Sequence, residues 1–268
     1  MSPWLLVIAG LIAYKYFKSK TGPGSGVPDT SSILTAKTFV VVLNSTCVTS
    51  GIIYMVTLSH AARFAAMASS VSASVLVIIT NYGVPKISRA SIRQPLQEYL
   101  AKCMSGAEFS FLFFSLMFLN DTTSQMLGVF PLGVCDYVST LLVVRRSLWF
   151  LGSHGSTTWS ESPVWIRFFG PLWARLNSQT SFVLEMASLT EVLLGFWLIL
   201  LVLTPARQLL VCFVYWNFLR IRYLAPRSRA SHIAAWSKVD AKTQPLRQTV
   251  TLLEKPVAFM QRWFNQVA

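Results

Sequence analysis

The sequence predicts an all-α integral membrane protein: three helical hairpins, an N-terminal anchor helix and interfacial amphipathic helices. Three observations carry this. Apolar residues make up 53% of the 268-residue chain and charged residues only 12%, about half the charge of an ordinary soluble domain. Mean hydropathy is +0.52. The apolar residues gather in runs that are joined pairwise by short linkers, with nearly all basic residues on one side of the pairs. These values exclude a soluble enzyme and a disordered tail protein.

Residues 1–18 hold an apolar run at about 3–17 that is followed, not preceded, by Lys15 and Lys18. A secretory signal places its basic residues first, so the stretch is expected to be an uncleaved membrane anchor. Residues 19–36 (SKTGPGSGVPDTSSILTA) are rich in Gly, Pro and Ser and are expected to form a flexible linker. Residues 37–229 are expected to form the polytopic helical domain, and 230–268 a C-terminal amphipathic region on the membrane surface.

A full crossing needs about 20 apolar residues. The runs 38–58, 61–80, 126–144 and 182–204 meet that length, whereas 105–119 and 208–224 are short. Ser59 and His60 join the first pair, Asn120 to Gln125 the second, and Pro205, Ala206 and Arg207 the third. Hence three hairpins are expected. Of 23 Lys and Arg residues, 21 lie on the side of the hairpin bases, leaving Arg63 and Arg207 near tips. The positive-inside bias places the bases and the C-terminus in the cytosol, or in the matrix of a mitochondrion. The net charge of +13 therefore suits anionic headgroups as partner, and no nucleic acid is expected.

The clearest periodicity is C-terminal. Leu246, Val250, Leu253, Val257, Met260, Phe264 and Val267 share one helical face, as an interfacial helix requires. Trp263 widens the face, while Arg247, Lys255 and Arg262 flank it. Pro256 is expected to kink it. Two further stretches resemble it. One carries Ile92, Leu96, Tyr99, Leu100 and Cys103; the other carries Trp165, Phe168, Phe169, Leu172, Trp173 and Leu176 beside Arg167 and Arg175. Trp at that density fits the headgroup belt. Hairpins alternating with such helices displace more area in one leaflet than in the other, which favours curved membrane.

Ala62, Ala66, Ser70 and Ser74 recur at every fourth position, a spacing that lets helices approach closely in lipid. Packing within the bundle is the first expectation and oligomerisation the second. Glu108, Asp136, Glu185 and Glu191 sit in apolar runs, where an ionised carboxylate is costly unless it is paired or reaches water. Glu108 and Glu185 are close to run ends. Asp136 is central and is the candidate intramembrane polar site.

Cys47, Cys103, Cys135 and Cys212 form no C-x-x-C pair, and His60, His154 and His232 share no ligand spacing. No disulfide framework, metal site, cofactor or catalytic residue is expected. Asn44 and Asn120 match the glycosylation pattern, but the first lies in an apolar run and the second close to the bilayer.

Ordered local matches extend from about residue 38 onward: Ser115-Leu116-Met117-Phe118-Leu119-Asn120, then Phe130-Pro131, then the aromatic and basic run Tyr215 to Tyr223, then Lys255-Pro256 followed by an aromatic and Arg262. In these the chain resembles the transmembrane protein 33 family, which includes yeast nuclear-pore membrane proteins. Residues 1 to about 32 match no part of it. The resemblance implies a non-enzymatic protein of endoplasmic reticulum and nuclear envelope, associated with reticulon-type shaping proteins and nuclear pores. The expected function is therefore a scaffold that shapes such membrane and docks partner membrane proteins. The alternative is an accessory structural subunit of a large organellar complex, for instance in the mitochondrial inner membrane. A transporter working through Asp136 ranks third, since the inverted repeats of many transporters are not visible.

Overall fold

The computed structural model describes residues 30–83, 99, 103, 107–119, 130–202 and 209–249. Eight α-helices and one π-helical segment account for nearly all of them, and no strand occurs among the described residues. The chain divides into two compact units, Met1–Pro171 and Leu172–Ala268.

The first unit contains α1 (Thr30–Thr57), α2 (His60–Tyr82), α3 (Ala107–Leu119) and α4 (Phe130–Thr158). α1 begins at Thr30, inside the stretch expected to be linker. It ends one residue earlier than its apolar run, so the turn is Leu58 and Ser59 rather than Ser59 and His60. Leu58 takes a left-handed φ of 54° and its N–H donates to the Tyr54 carbonyl at 2.7 Å, the helix-ending geometry normally given to Gly.

α1 and α2 are rich in Ser and Thr, which is tolerable in lipid because the hydroxyls bond within their own helix. Thr46 donates to the Val42 carbonyl at 2.9 Å, Ser72 to Ala68 at 2.9 Å and Thr80 to Leu76 at 2.7 Å. These three hydroxyls are then not left to hydrocarbon.

α3 and α4 were expected to pack on each other as a second hairpin. Instead α3 packs chiefly on α2 and α4 chiefly on α1, and the two touch only lightly. Side-chain size explains the arrangement. Ala66, Ser69, Ser70, Ala73 and Ser74 present α2 as a shallow buried face, and the Ser70 and Ser115 hydroxyls bond across it at 3.0 Å. On α1, a Cβ added to Gly51 would lie 2.1 Å from Val144 Cγ2 of α4. Only Gly permits that approach. α4 also departs from the expected run at 126–144. It continues to Thr158 and carries Asp136, Arg145 and Arg146. Among the described residues, the helices long and apolar enough to cross a membrane are Lys37–Thr57, His60–Tyr82 and Thr180–Val202.

A π-helical segment, Trp165–Phe169, leads into α5 (Gly170–Ser178), where the division between the units falls. The second unit contains α6 (Thr180–Val202), α7 (Leu209–Leu224) and α8 (Pro226–Thr249). α6 and α7 pair closely at Gly195, where a Cβ would lie 2.8 Å from Leu219 Cδ1. α8 packs on both of them. Phe196, Trp216 and Trp236 join the three helices, with ring centroids 5.6–6.2 Å apart.

Candidate functional site

An ionised carboxylate within an apolar helix is costly to bury, so its partners reveal what it is for. Each of Glu108, Asp136, Glu185 and Glu191 faces a basic side chain on another helix. Asp136 of α4 meets Arg63 of α2 at 2.7 Å, both side chains at least 93% buried. The Arg63 guanidinium also donates to the Phe118 carbonyl at the end of α3, at 2.8 Å. One cation therefore fastens three helices near the first hairpin's turn. Asp136, expected as a lone polar site, is half of this fastener. Arg63, which the charge count set aside as a tip residue, is the other half.

A second fastener joins Glu108 of α3 to Arg146 of α4, and the same guanidinium lies over the Phe111 ring, 4.9 Å from its centroid. In the second unit Glu191 of α6 is the centre. Arg222 of α7 donates to both carboxylate oxygens, at 3.2 and 3.1 Å. His232 Nε2 of α8 stands 3.2 Å from the same carboxylate, and the Tyr215 hydroxyl donates to the Glu191 carbonyl at 2.8 Å. Ser188 donates to Ser231 at 2.9 Å. Glu185 pairs with Lys238 at 2.6 Å, the Lys side chain being 49% exposed. That last pair is worth little because water screens it. The buried pairs matter because removing one partner strands the other.

The sequence contains a signal for two of these pairs. Arg63 stands one turn past Ser59, and Asp136 stands early in α4. Both lie near the starts of their helices, and such positions share a depth when the two helices run parallel. Glu191 and Arg222 are likewise at similar distances from Val202 and Leu209. For His232 no such signal exists, because its role depends on how α8 crosses α6.

The helix-packing candidates are brought together. Ala66, Ser70 and Ser74 are buried, and Ala62 is half-buried. Of the membrane-surface candidates, Trp165 and Trp173 are half-buried while Ile166, Phe168, Phe169 and Leu172 are exposed. Trp165 lies on α4: a Cβ on Gly155 would fall 2.2 Å from its ring. It also stacks on Phe169 with ring centroids 6.3 Å apart. Here Trp165 holds the segment down, and its neighbours carry the open apolar surface. Gly155→Ala is expected to push Trp165 outward and cost about 1–3 kcal/mol. A lowered melting temperature with red-shifted Trp emission checks this.

Close by, His154 stacks on Phe150 at 6.0 Å and meets Trp159 edge-on at 5.8 Å. Burial lowers the His154 pKa, and Lys37 lowers it further. The ring is therefore neutral at pH 7 and acts as an aromatic packing partner.

Arg247 falls within α8. Val250, Leu253, Lys255, Val257, Met260, Arg262, Trp263 and Phe264 lie outside the described residues, as does most of the stretch from Ile92 to Lys102. Of the latter, Tyr99 is described, and its hydroxyl donates to the Gly83 carbonyl at 2.9 Å. Among the described residues no group of three or more His, Cys, Asp or Glu is placed to hold a metal.

Residues 25–247 match the family model described as Transmembrane protein 33/Nucleoporin POM33. The match covers parts of both units; it begins at residue 25, earlier than the expected start at about 38 and within the stretch expected to match no part of the family, and it ends before Lys255-Pro256. No curated protein and no solved structure matches the chain.

Proposed function

The chain belongs to the Transmembrane protein 33/Nucleoporin POM33 family, and from that premise we propose that it is a non-enzymatic scaffold shaping endoplasmic-reticulum and nuclear-envelope membrane. The family is one of membrane proteins linked to endoplasmic-reticulum and nuclear-pore membranes. The observation that best supports a scaffold is the pairing of all four carboxylates in the apolar helices. Charge at these positions ties helices together. An ion path needs a carboxylate able to exchange its partner for a passing ion, and Asp136 is held between helices by Arg63.

The shaping surface we propose is the C-terminal face of Val250, Leu253, Val257, Met260, Trp263 and Phe264, with Arg247, Lys255 and Arg262 addressing anionic headgroups. Docking of reticulon-type or nuclear-pore membrane proteins belongs to the same reading. Reconstituted full-length protein is expected to be enriched on small over large anionic liposomes. Replacing Leu253, Val257 and Met260 with Asp should abolish that preference, because each change removes apolar insertion and adds like charge to an anionic surface. Unchanged enrichment would count against the wedge. Recovery only as a fixed-stoichiometry subunit of a mitochondrial complex would favour the accessory-subunit alternative.

A further inference from the structure

The contact between α1 and α4 sets a common scale of depth for the first unit. A Cβ on Gly51 of α1 would lie 2.1 Å from Val144 of α4, so the two residues stand side by side. Eight residues on from Gly51 is Ser59, and eight residues back from Val144 is Asp136. Asp136 does meet α2 one turn past Ser59, at Arg63, so α1 and α4 run antiparallel in that register. In the other direction Lys37 and Thr158 each lie fourteen residues from the Gly51 level, about 21 Å along the helices. Lys37 precedes the apolar run of α1 and opens its candidate crossing, Lys37–Thr57. The last residue of α4 therefore comes to the membrane boundary.

Past that boundary the chain turns back. The Ser162 N–H donates to the Trp159 carbonyl at 2.9 Å, and the π-helical segment Trp165–Phe169 follows. The Trp165 ring fills the recess at Gly155. Gly155 lies eleven residues past Val144, which is the level of Val40 on α1, about 5 Å to the membrane side of Lys37. Phe169 stacks on the same ring with centroids 6.3 Å apart, so it is held near that depth too.

The surface that this segment leaves open is apolar. Val164, Ile166, Phe168 and Phe169 are 55–64% exposed, at a depth where the apolar run of α1 has already begun. Arg167 stands among them, exposed, with its guanidinium 5.8 Å from the Phe168 ring centroid. A side chain of that length reaches headgroups while its stem stays with apolar neighbours. Glu161 is exposed in the turn, on the water side of the Lys37 level. The arginines of α4 at mid-depth do not oppose this placement: Arg146 pairs with Glu108, and Arg145 is half-buried in the bundle. A depth of about 5 Å is where interfacial helices insert, about 5–10 Å into the boundary between headgroups and acyl chains.

We infer that residues 164–169 form a lipid-binding segment in the leaflet at the Lys37 end of α1, where Ile166, Phe168 and Phe169 insert between phospholipid headgroups while Trp165 pins the segment to α4. Its ligand is the boundary of headgroups and acyl chains, and Arg167 favours an anionic headgroup there. Trp165, expected from the sequence to meet lipid, is the fixed point, and its neighbours are the inserted side chains. The inference deepens the membrane-shaping reading, since a pinned insert adds area to one leaflet alone, and it rests on the protein being membrane-embedded.

The test places one photo-cross-linker at a time in full-length protein reconstituted into vesicles of phosphatidylcholine and phosphatidylserine. The probes are Phe168→p-benzoylphenylalanine and, as a second reading should that variant not fold, Ile166→p-benzoylphenylalanine. The same group at Val42, exposed on the apolar run of α1, reports lipid contact within the membrane, and at Glu161 it reports the water side. After illumination, phospholipid adducts are measured by mass on the proteolysed chain. Yields at 166 and 168 should approach the yield at 42 and exceed that at 161 severalfold. Adducts at 42 with none at 166 and 168, cross-links to protein instead of lipid at those two positions, or an equal yield at 161 would overturn the inference and leave the membrane reading standing. No adduct at 42 would refute the membrane reading and the inference with it.

Discussion

Replacing Glu191 with Leu is expected to destabilise the second unit by about 3–5 kcal/mol, the cost of stranding a buried charge. Arg222 makes two hydrogen bonds to that carboxylate, and His232, fully buried, faces it at 3.2 Å. With the carboxylate gone, the Arg222 guanidinium is left with a side chain only 11% exposed and no counter-charge in those two bonds. Thermal unfolding of detergent-solubilised full-length protein, followed by size-exclusion chromatography, should show the loss. Glu191→Gln should lie between, since it keeps the shape and some hydrogen bonding while losing the charge. Adding Arg222→Leu to Glu191→Leu should recover much of the loss, because two apolar residues of similar volume need no counter-charge. A single substitution without effect would show that Glu191 fastens nothing.

The second large effect is expected at Asp136. Asp136→Leu strands Arg63 among α2, α3 and α4, and about 3–5 kcal/mol should again be lost. The double replacement Arg63→Leu with Asp136→Leu should restore the melting temperature to near the parent value. Asp136→Asn carries a further discrimination. For a structural pair, proton or cation flux into liposomes should be the same with and without the substitution. A flux abolished by Asp136→Asn would return this residue to the role of ion path.

How far the chain could be read in advance depended on the kind of interaction. Helices set by local periodicity were legible: the first hairpin was placed to within one residue of its turn, because a run of apolar residues and a tight linker are sequential features. The small face from Ala62 to Ser74 was visible for the same reason. What was not legible is which helix each face meets. α3 lies on α2 and α4 on α1 because Ser70, Ser115 and Gly51 allow closer approach than a direct α3–α4 pairing provides. That choice depends on shape across long sequence separations. Arg63 was counted as a stray charge because its partner is far along the chain. Trp165 read as a lipid-facing belt residue, yet Gly155 offers a recess that its ring fills. The residues proposed to bend membrane, Val250 to Phe264, stand on periodicity alone.

Imaging the full-length protein with a C-terminal tag, against markers for reticulum, nuclear envelope and mitochondria, tests the central claim most directly. A reticular signal with a perinuclear rim is the expected result. A signal confined to mitochondria would contradict the scaffold reading and turn attention to the complex that holds the protein there.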